Sequence, residues 1–278
     1  MTIFDLYLDR NGSAAIPELP TRVWSETSHP TLDLLVYYQN SPIPEEIQTY
    51  AQYLTGLLKA RLSDYSSRNS TSITFDDLIE EAGHSYNLVV FGEPCQSLVE
   101  RLLSGSADCR AVARIPTSVL IARCPRWPLR KILFVTRGQM LDGLAVDWVI
   151  YLAQPSRATV TVLALQPPMS ATDTQALYGR GLRAWLETDT PLGGQLRRIV
   201  ARLVNWELTG TLRFRHGLSG WQIKSEMAEG DYDLIIVAAD PTNWWLRRLL
   251  GELVNPLLNW VDRPVLVAKP APVQGNIF

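Results

Sequence analysis

Cysteine, histidine and long apolar runs are all scarce in this chain, and each shortage removes a class of function. The three cysteines, Cys95, Cys109 and Cys124, show no metal-ligand spacing, and an odd number argues against a disulfide scaffold. The three histidines, His29, His84 and His216, are isolated, with no acid or nucleophile at a recognisable spacing. The patterns G-x-S-x-G, H-E-x-x-H and G-x4-G-K-[ST] are absent. No general base is evident, so the sequence predicts a protein that is not an enzyme. No apolar run approaches the roughly 18 residues of a membrane span. The N-terminus, MTIFDLYLDRNG, lacks a basic stretch followed by an apolar core, so no signal peptide is expected. Net charge is −2 and Lys/Arg residues form no dense run, so nucleic acid is not an expected partner. Arg180, Arg183, Arg197, Arg198 and Arg202 read as a solvated helix face. A cytoplasmic protein without membrane contact follows as the expectation.

What is present is an ordinary globular composition, 46% apolar and 19% charged over 278 residues, and an internal similarity. Residues 86–123 lie over 232–269 without a gap, at a constant offset of 146. Tyr86, Leu88, Arg101, Leu103, Gly105, Val119, Leu120 and Ala122 fall on Tyr232, Leu234, Arg247, Leu249, Gly251, Val265, Leu266 and Ala268. Val/Ile and Arg/Lys swaps surround these identities. A period this long means two domains in tandem rather than a solenoid. Boundaries of 1–125 and 130–270 are expected, with the short linker Cys124–Leu129 between them.

Periodicity supports an α/β fold. In the second half, strands are expected at 131–136, 158–164, 210–215, 234–238 and 264–268. Helices are expected at 140–153, 171–187, 191–207, 219–229 and 243–260. In the first half, strands are expected at 3–8, 34–38, 71–74, 87–91 and 118–122, with helices at 44–62, 75–82 and 97–114. Apolar rather than alternating strands, separated by helices, indicate a parallel sheet covered on both faces. The fold expected is two tandem doubly wound parallel-sheet domains. The first is shorter, having lost its first crossover helix, or the second has gained one at 191–207.

The segment LVVFGEPCQSLVERLLSGS runs from a strand into Gly92 and then, thirteen residues later, into Gly105-Ser106. Glycine lets backbone amides approach a phosphate, and a helix N-terminus adds favourable partial charge. Ser106 could cap that helix or donate to a phosphate oxygen. The pattern G-x2-G-x9-G-[ST] after the fourth strand resembles the universal stress protein family, with Gly92, Cys95, Gly105 and Ser106 at that spacing. KILFVTRG resembles the family's opening strand, and IPTSVLIAR and DRPVLVAK its last.

The resemblance implies a Rossmann-like domain of the adenine nucleotide alpha hydrolase type. It implies ATP, with magnesium, held in the first domain by Gly92, Cys95, Gly105 and Ser106. Asp9 is then the nucleoside-contacting aspartate at the end of the first strand. It also implies that the last strands, 118–122 and 264–268, meet. Cys95 replaces a glycine and follows Pro94, so a Cβ stands where backbone should approach. In the second domain Ala238 and Pro241 replace both loop glycines, Asp240 lies between them, Glu252 takes the hydroxyl position, and Arg137 stands in for the aspartate. Carboxylates facing a triphosphate repel it, so no cofactor is expected there.

Seven of the nine tryptophans lie in the second domain. Trp244 and Trp245 are adjacent and cannot both point inward, which makes them a candidate protein-binding surface or homodimer contact. The alternative to a nucleotide-binding regulator is a nucleotide-free interaction scaffold acting through that surface. A third reading places a reactive thiol at Cys95.

Overall fold

The computed structural model describes residues 32–38, 43–64, 75–93, 114–138, 142–166, 191–217, 219–239, 257–258 and 261–269. Expectations for the segments 3–8, 71–74, 97–113, 171–187 and most of 243–260 lie outside these residues.

The first half contributes β1 (Asp33–Tyr38), α1 (Glu45–Leu58), β2 (Arg61–Asp64), α2 (Phe75–Ser85), β3 (Leu88–Gly92) and β4 (Ser118–Ala122). The second contributes β5 (Lys131–Thr136), α3 (Asp142–Ser156), β6 (Thr159–Gln166), α4 (Pro191–Asn205), β7 (Gly210–His216), α5 (Ser219–Glu229), β8 (Leu234–Ala238) and β9 (Val265–Ala268). The nine strands among the described residues form one sheet, in the order β2-β1-β3-β4-β9-β8-β5-β6-β7. Every pairing is parallel except β4 with β9. The apolar runs of β3, β4, β8 and β9 follow from their central position. They are covered on both faces, by one core containing α1, α3 and α4 and another containing residues of α2, α5 and the segment 257–261.

The chain departs from expectation in α1. A helix over 44–62 is expected, but it stops at Leu58. Lys59 adopts a left-handed conformation, and the Lys59 and Ala60 amides donate to the Gly56 and Thr55 carbonyls. Residues 61–64 then form β2. The Arg61 guanidinium clamps the Asp33 carboxylate at 2.7 and 2.9 Å, which fixes the start of β2 against β1. Lys, Ala, Arg and Leu are all good helix formers, so strand pairing overrides local propensity here.

A second correction concerns the first strand. The position beside β3 is taken by Asp33–Tyr38, not by the segment 3–8. β1 pairs with β3 as β5 pairs with β8, and α1 joins β1 to β2 as α3 joins β5 to β6. The first crossover helix is therefore present. What the first half lacks, among the described residues, is a counterpart to the outer strand β7 and its helix α4.

The registers agree with the 146-residue offset. Val89 pairs with Val119, and Ile235 with Val265. At the amino edge, Asn87 Oδ1 accepts the Asp33 amide at 2.8 Å, and Asp233 Oδ2 accepts the Lys131 amide at 3.0 Å. The expected meeting of the two last strands is an antiparallel ladder in which Leu120 pairs with Leu266, its own counterpart. A local two-fold passes through that pair. α3, apolar over most of its circumference, packs across this junction, and Trp148 Nε1 donates to Ser118 Oγ at 3.0 Å. The linker is held closely. Tyr53 Oη accepts the Leu129 amide at 2.9 Å, and the Trp127 ring lies 6.1 Å from Tyr50. Cys124, one of the three cysteines in the sequence, is disulfide-bonded. The other two cysteines lie outside the described residues.

A charge cluster fastens α5 to the edge strand β7. Glu226 is fully buried. Its carboxylate faces Arg215 and Arg213 at 2.9 Å each and accepts from the Tyr232 hydroxyl at 2.5 Å. Burial and then the Glu226 carboxylate push the Tyr232 phenol from its ordinary 10.0 up to about 12. Above pH 10 the unfolded chain releases a proton that the fold retains. This contribution is therefore whole below pH 10 and is lost as pH rises through about 12. Urea melts between those values should show stability falling more steeply in the wild type than in Tyr232→Phe. Equal slopes would place the titrating phenol elsewhere.

Candidate functional site

Open parallel sheets bind ligands beyond the carboxyl ends of their strands, where the strand order reverses. This sheet has two such reversals, between β1 and β3 and between β5 and β8. They are related by the local two-fold, but their chemistry differs.

At the first reversal Tyr38 pairs with Gly92, and Gly92 pairs with Ala122. Gly92 ends a fully buried strand. A Cβ added there would stand 2.9 Å from both Ile47 Cγ2 and Tyr38 Cδ2. Packing against α1 and β1 therefore accounts for glycine at this position, independently of any phosphate. The next residue, Glu93, continues the ladder through its amide, which donates to the Ala122 carbonyl at 3.0 Å. Its side chain turns to Arg123, whose Nε donates to Glu93 Oε2 at 2.7 Å and whose Nη2 contacts the same oxygen.

Arg123 is 1% exposed. Its Nη1 donates across the β4–β9 junction to the carbonyls of Leu258, at 2.6 Å, and Val261, at 2.9 Å. A guanidinium removed from water at this depth needs such a set, because an unpaired buried charge costs several kcal/mol. Lys269 holds the equivalent place in the second half, and its ammonium donates to the Ile115 carbonyl. Ile115 is the counterpart of Val261, so the two cations clasp the junction reciprocally.

At the second reversal Thr136 bonds to both Asp142 and Gly138. The Thr136 hydroxyl donates to the Asp142 carboxylate, and the Gly138 amide donates to Thr136 Oγ1 at 2.8 Å. Gly138 is left-handed, with φ of 71°, and Leu192 of α4 packs where its Cβ would lie. Asp142 is 4% exposed and sits in the first turn of α3, where its charge is favourable. Ala238 stands where the first half has Gly92, and Arg137 follows β5.

Of the site residues expected from sequence, Gly92 is at the carboxyl end of β3. Asp9, Cys95, Gly105 and Ser106 lie outside the described residues, as do Asp240, Pro241, Trp244, Trp245 and Glu252. Asp9 does not follow the strand at the first-strand position, since that strand ends at Tyr38. Sequence reasoning missed Tyr38, Ile47, Glu93 and Arg123. Only Arg123 left a trace, as an Arg/Lys swap with Lys269. Among the described residues no group of three or more His, Cys, Asp or Glu is placed to hold a metal, and no helix is long and apolar enough to cross a membrane.

Together these features define a doubly wound α/β protein whose strand order reverses at two places of unlike chemistry. The universal stress protein family model matches residues 128–269, just over half of the 278 residues, and the chain belongs to that family. Among solved structures, a universal stress protein from Archaeoglobus fulgidus DSM 4304 is similar at 11% identity. That match covers 87% of each chain, with a TM-score of 0.55. A functionally unknown protein from Pseudomonas aeruginosa PAO1 is similar at 16% identity, over 87% of this chain and 83% of that one, with a TM-score of 0.52. At these identities the likeness is one of fold. No curated protein matches the sequence.

Gly92→Ala should lower the unfolding free energy by about 1–3 kcal/mol through overpacking. In a Tyr38→Ala background the loss should shrink, which a double-mutant cycle by chemical denaturation measures. Additivity within about 0.5 kcal/mol would show that Tyr38 does not exclude the Cβ.

Proposed function

We propose that this chain is a cytoplasmic, non-catalytic regulatory protein of tandem build, with units at 1–125 and 130–270, that binds ATP with magnesium through the first unit alone. The proposed binding set is Gly92, Cys95, Gly105 and Ser106. Asp9 can join it only from outside the first-strand position that the family resemblance assigns. One observation carries the reading. Glu93, the residue after Gly92, turns its carboxylate into the junction where Arg123 neutralises it, so the mouth beside Gly92 presents no uncompensated negative charge from it. Coulomb repulsion of a triphosphate, which grows as water is excluded, is thereby reduced at that point. The second unit offers Ala238, a closed Thr136–Asp142 pair, and Asp240 and Glu252 in the sequence. It is proposed to bind no nucleotide.

A second reading, the nucleotide-free scaffold, is compatible with the packing over Gly92. Because Tyr38 and Ile47 already require glycine there, the residue survives equally well in a nucleotide-free scaffold. In that case partners or a second copy engage the tryptophan-rich segment at Trp244 and Trp245. Fold alone does not choose between these functions.

Calorimetric titration of the purified full chain with Mg-ATP separates them. Saturable binding at one site per chain, abolished by Gly105→Asp, is the result expected of the nucleotide regulator. No heat at millimolar ATP would sink that reading and leave the scaffold.

A further inference from the structure

The first-unit reversal and the second half are joined by a chain of contacts that composition does not hint at. Gly92 ends β3 and Glu93 follows it directly. Glu93 Oε2 accepts from Arg123 Nε at 2.7 Å. Arg123 in turn donates to the carbonyls of Leu258 and Val261, in the segment that leads into β9. The guanidinium is 1% exposed and the Glu93 side chain 10%, so neither exchanges freely with water. The planar fork of arginine fixes both ends in one orientation. The reciprocal clasp differs in kind: Lys269 also reaches a backbone carbonyl of the other half, Ile115 O, but the counterpart of Glu93 is Ala239, which has no carboxylate. The Arg123 clasp therefore ties a carboxylate at a reversal mouth to the other half.

We propose that Glu93 and Arg123 form a coupling element. The placement of Glu93 after Gly92 sets how firmly Leu258 and Val261 are held, and through them the end of the second half that enters β9. A ligand that draws Glu93 toward itself, or pushes it away, weakens the hold of Arg123 on Leu258 and Val261. Coupling of this type needs contiguous groups whose arrangement both ends bias. The pair supplies them because Arg123 is buried, and losing a carboxylate partner there costs free energy unless the guanidinium rearranges. The device deepens the nucleotide reading in its ligand arm, but the mechanical link stands without any ligand.

Hydrogen exchange followed by mass spectrometry on the full chain tests it in two arms. In the first, Glu93→Gln should speed exchange of the amides at 257–261 by about tenfold or more, through a local opening. Peptides in β5, β6 and β7 should be unchanged. If Glu93→Gln folds poorly, the double variant Glu93→Met with Arg123→Met keeps apolar packing without a stranded charge and should show the same local acceleration. Change confined to residues 88–93 and 118–123 would overturn the proposal. In the second arm, Mg-ATP should alter protection at 257–261 in the wild type and not in Glu93→Gln. Calorimetric binding without any change at 257–261 would overturn the coupling while leaving the nucleotide reading intact. Absence of binding removes the nucleotide reading, and the first arm still decides the coupling.

Discussion

The antiparallel pairing of β4 with β9 is the constraint on which the rest of the molecule depends. Each half is a parallel sheet, and each would otherwise end in a fully apolar edge strand with unpaired amides and carbonyls. Such an edge is a template for aggregation. Set against its own counterpart, each edge becomes the middle of a nine-stranded sheet. Leu120 and Leu266 then pack at the centre, α3 covers one face, and the two cations Arg123 and Lys269 reach across to opposite sides. Helix α3 is apolar nearly all round for the same reason: it serves the cores of both halves.

The central strands were legible because nothing competes with their apolar runs. Runs of buried residues between turns, all five of Leu88–Gly92 and the first four of Leu234–Ala238, satisfy only a doubly covered parallel strand. The peripheral parts were harder. The end of α1 is written in helix-forming residues, and its stop is imposed from outside by the pairing of Arg61 with Asp33. The choice of first strand was misread because the segments 3–8 and 34–38 look alike locally. Only pairing to β3 distinguishes them, and that contact spans more than fifty residues. Periodicity is a local signal, and sheet order is not.

The candidate site shows the same division between local and distant causes. Gly92 was found because glycine after a buried strand is conspicuous. What surrounds it was not found, since Tyr38 and Ile47 come from a strand and a helix more than forty residues earlier. Arg123 carried no signal beyond its swap with Lys269. Its burial depends on carbonyls presented by the other half of the chain, and no pattern within its own neighbourhood encodes that. The contrast between the two reversals was visible in part, through Ala238 and Arg137. The Thr136–Asp142 closure was not, because a hydroxyl and a carboxylate six residues apart carry no signature until a turn brings them together.

A junction made between two parts of one polypeptide has a property that the same junction between separate chains would lack. Its partner is tethered, so the local concentration of one edge about the other does not fall when the protein is diluted. The six residues Cys124–Leu129 hold the two edges in reach of each other. The ratio of the two unlike halves is thus one to one at any expression level, and neither half is free to pair with a copy of itself through this edge. Under that arrangement one half can drift in its chemistry while the other keeps its own.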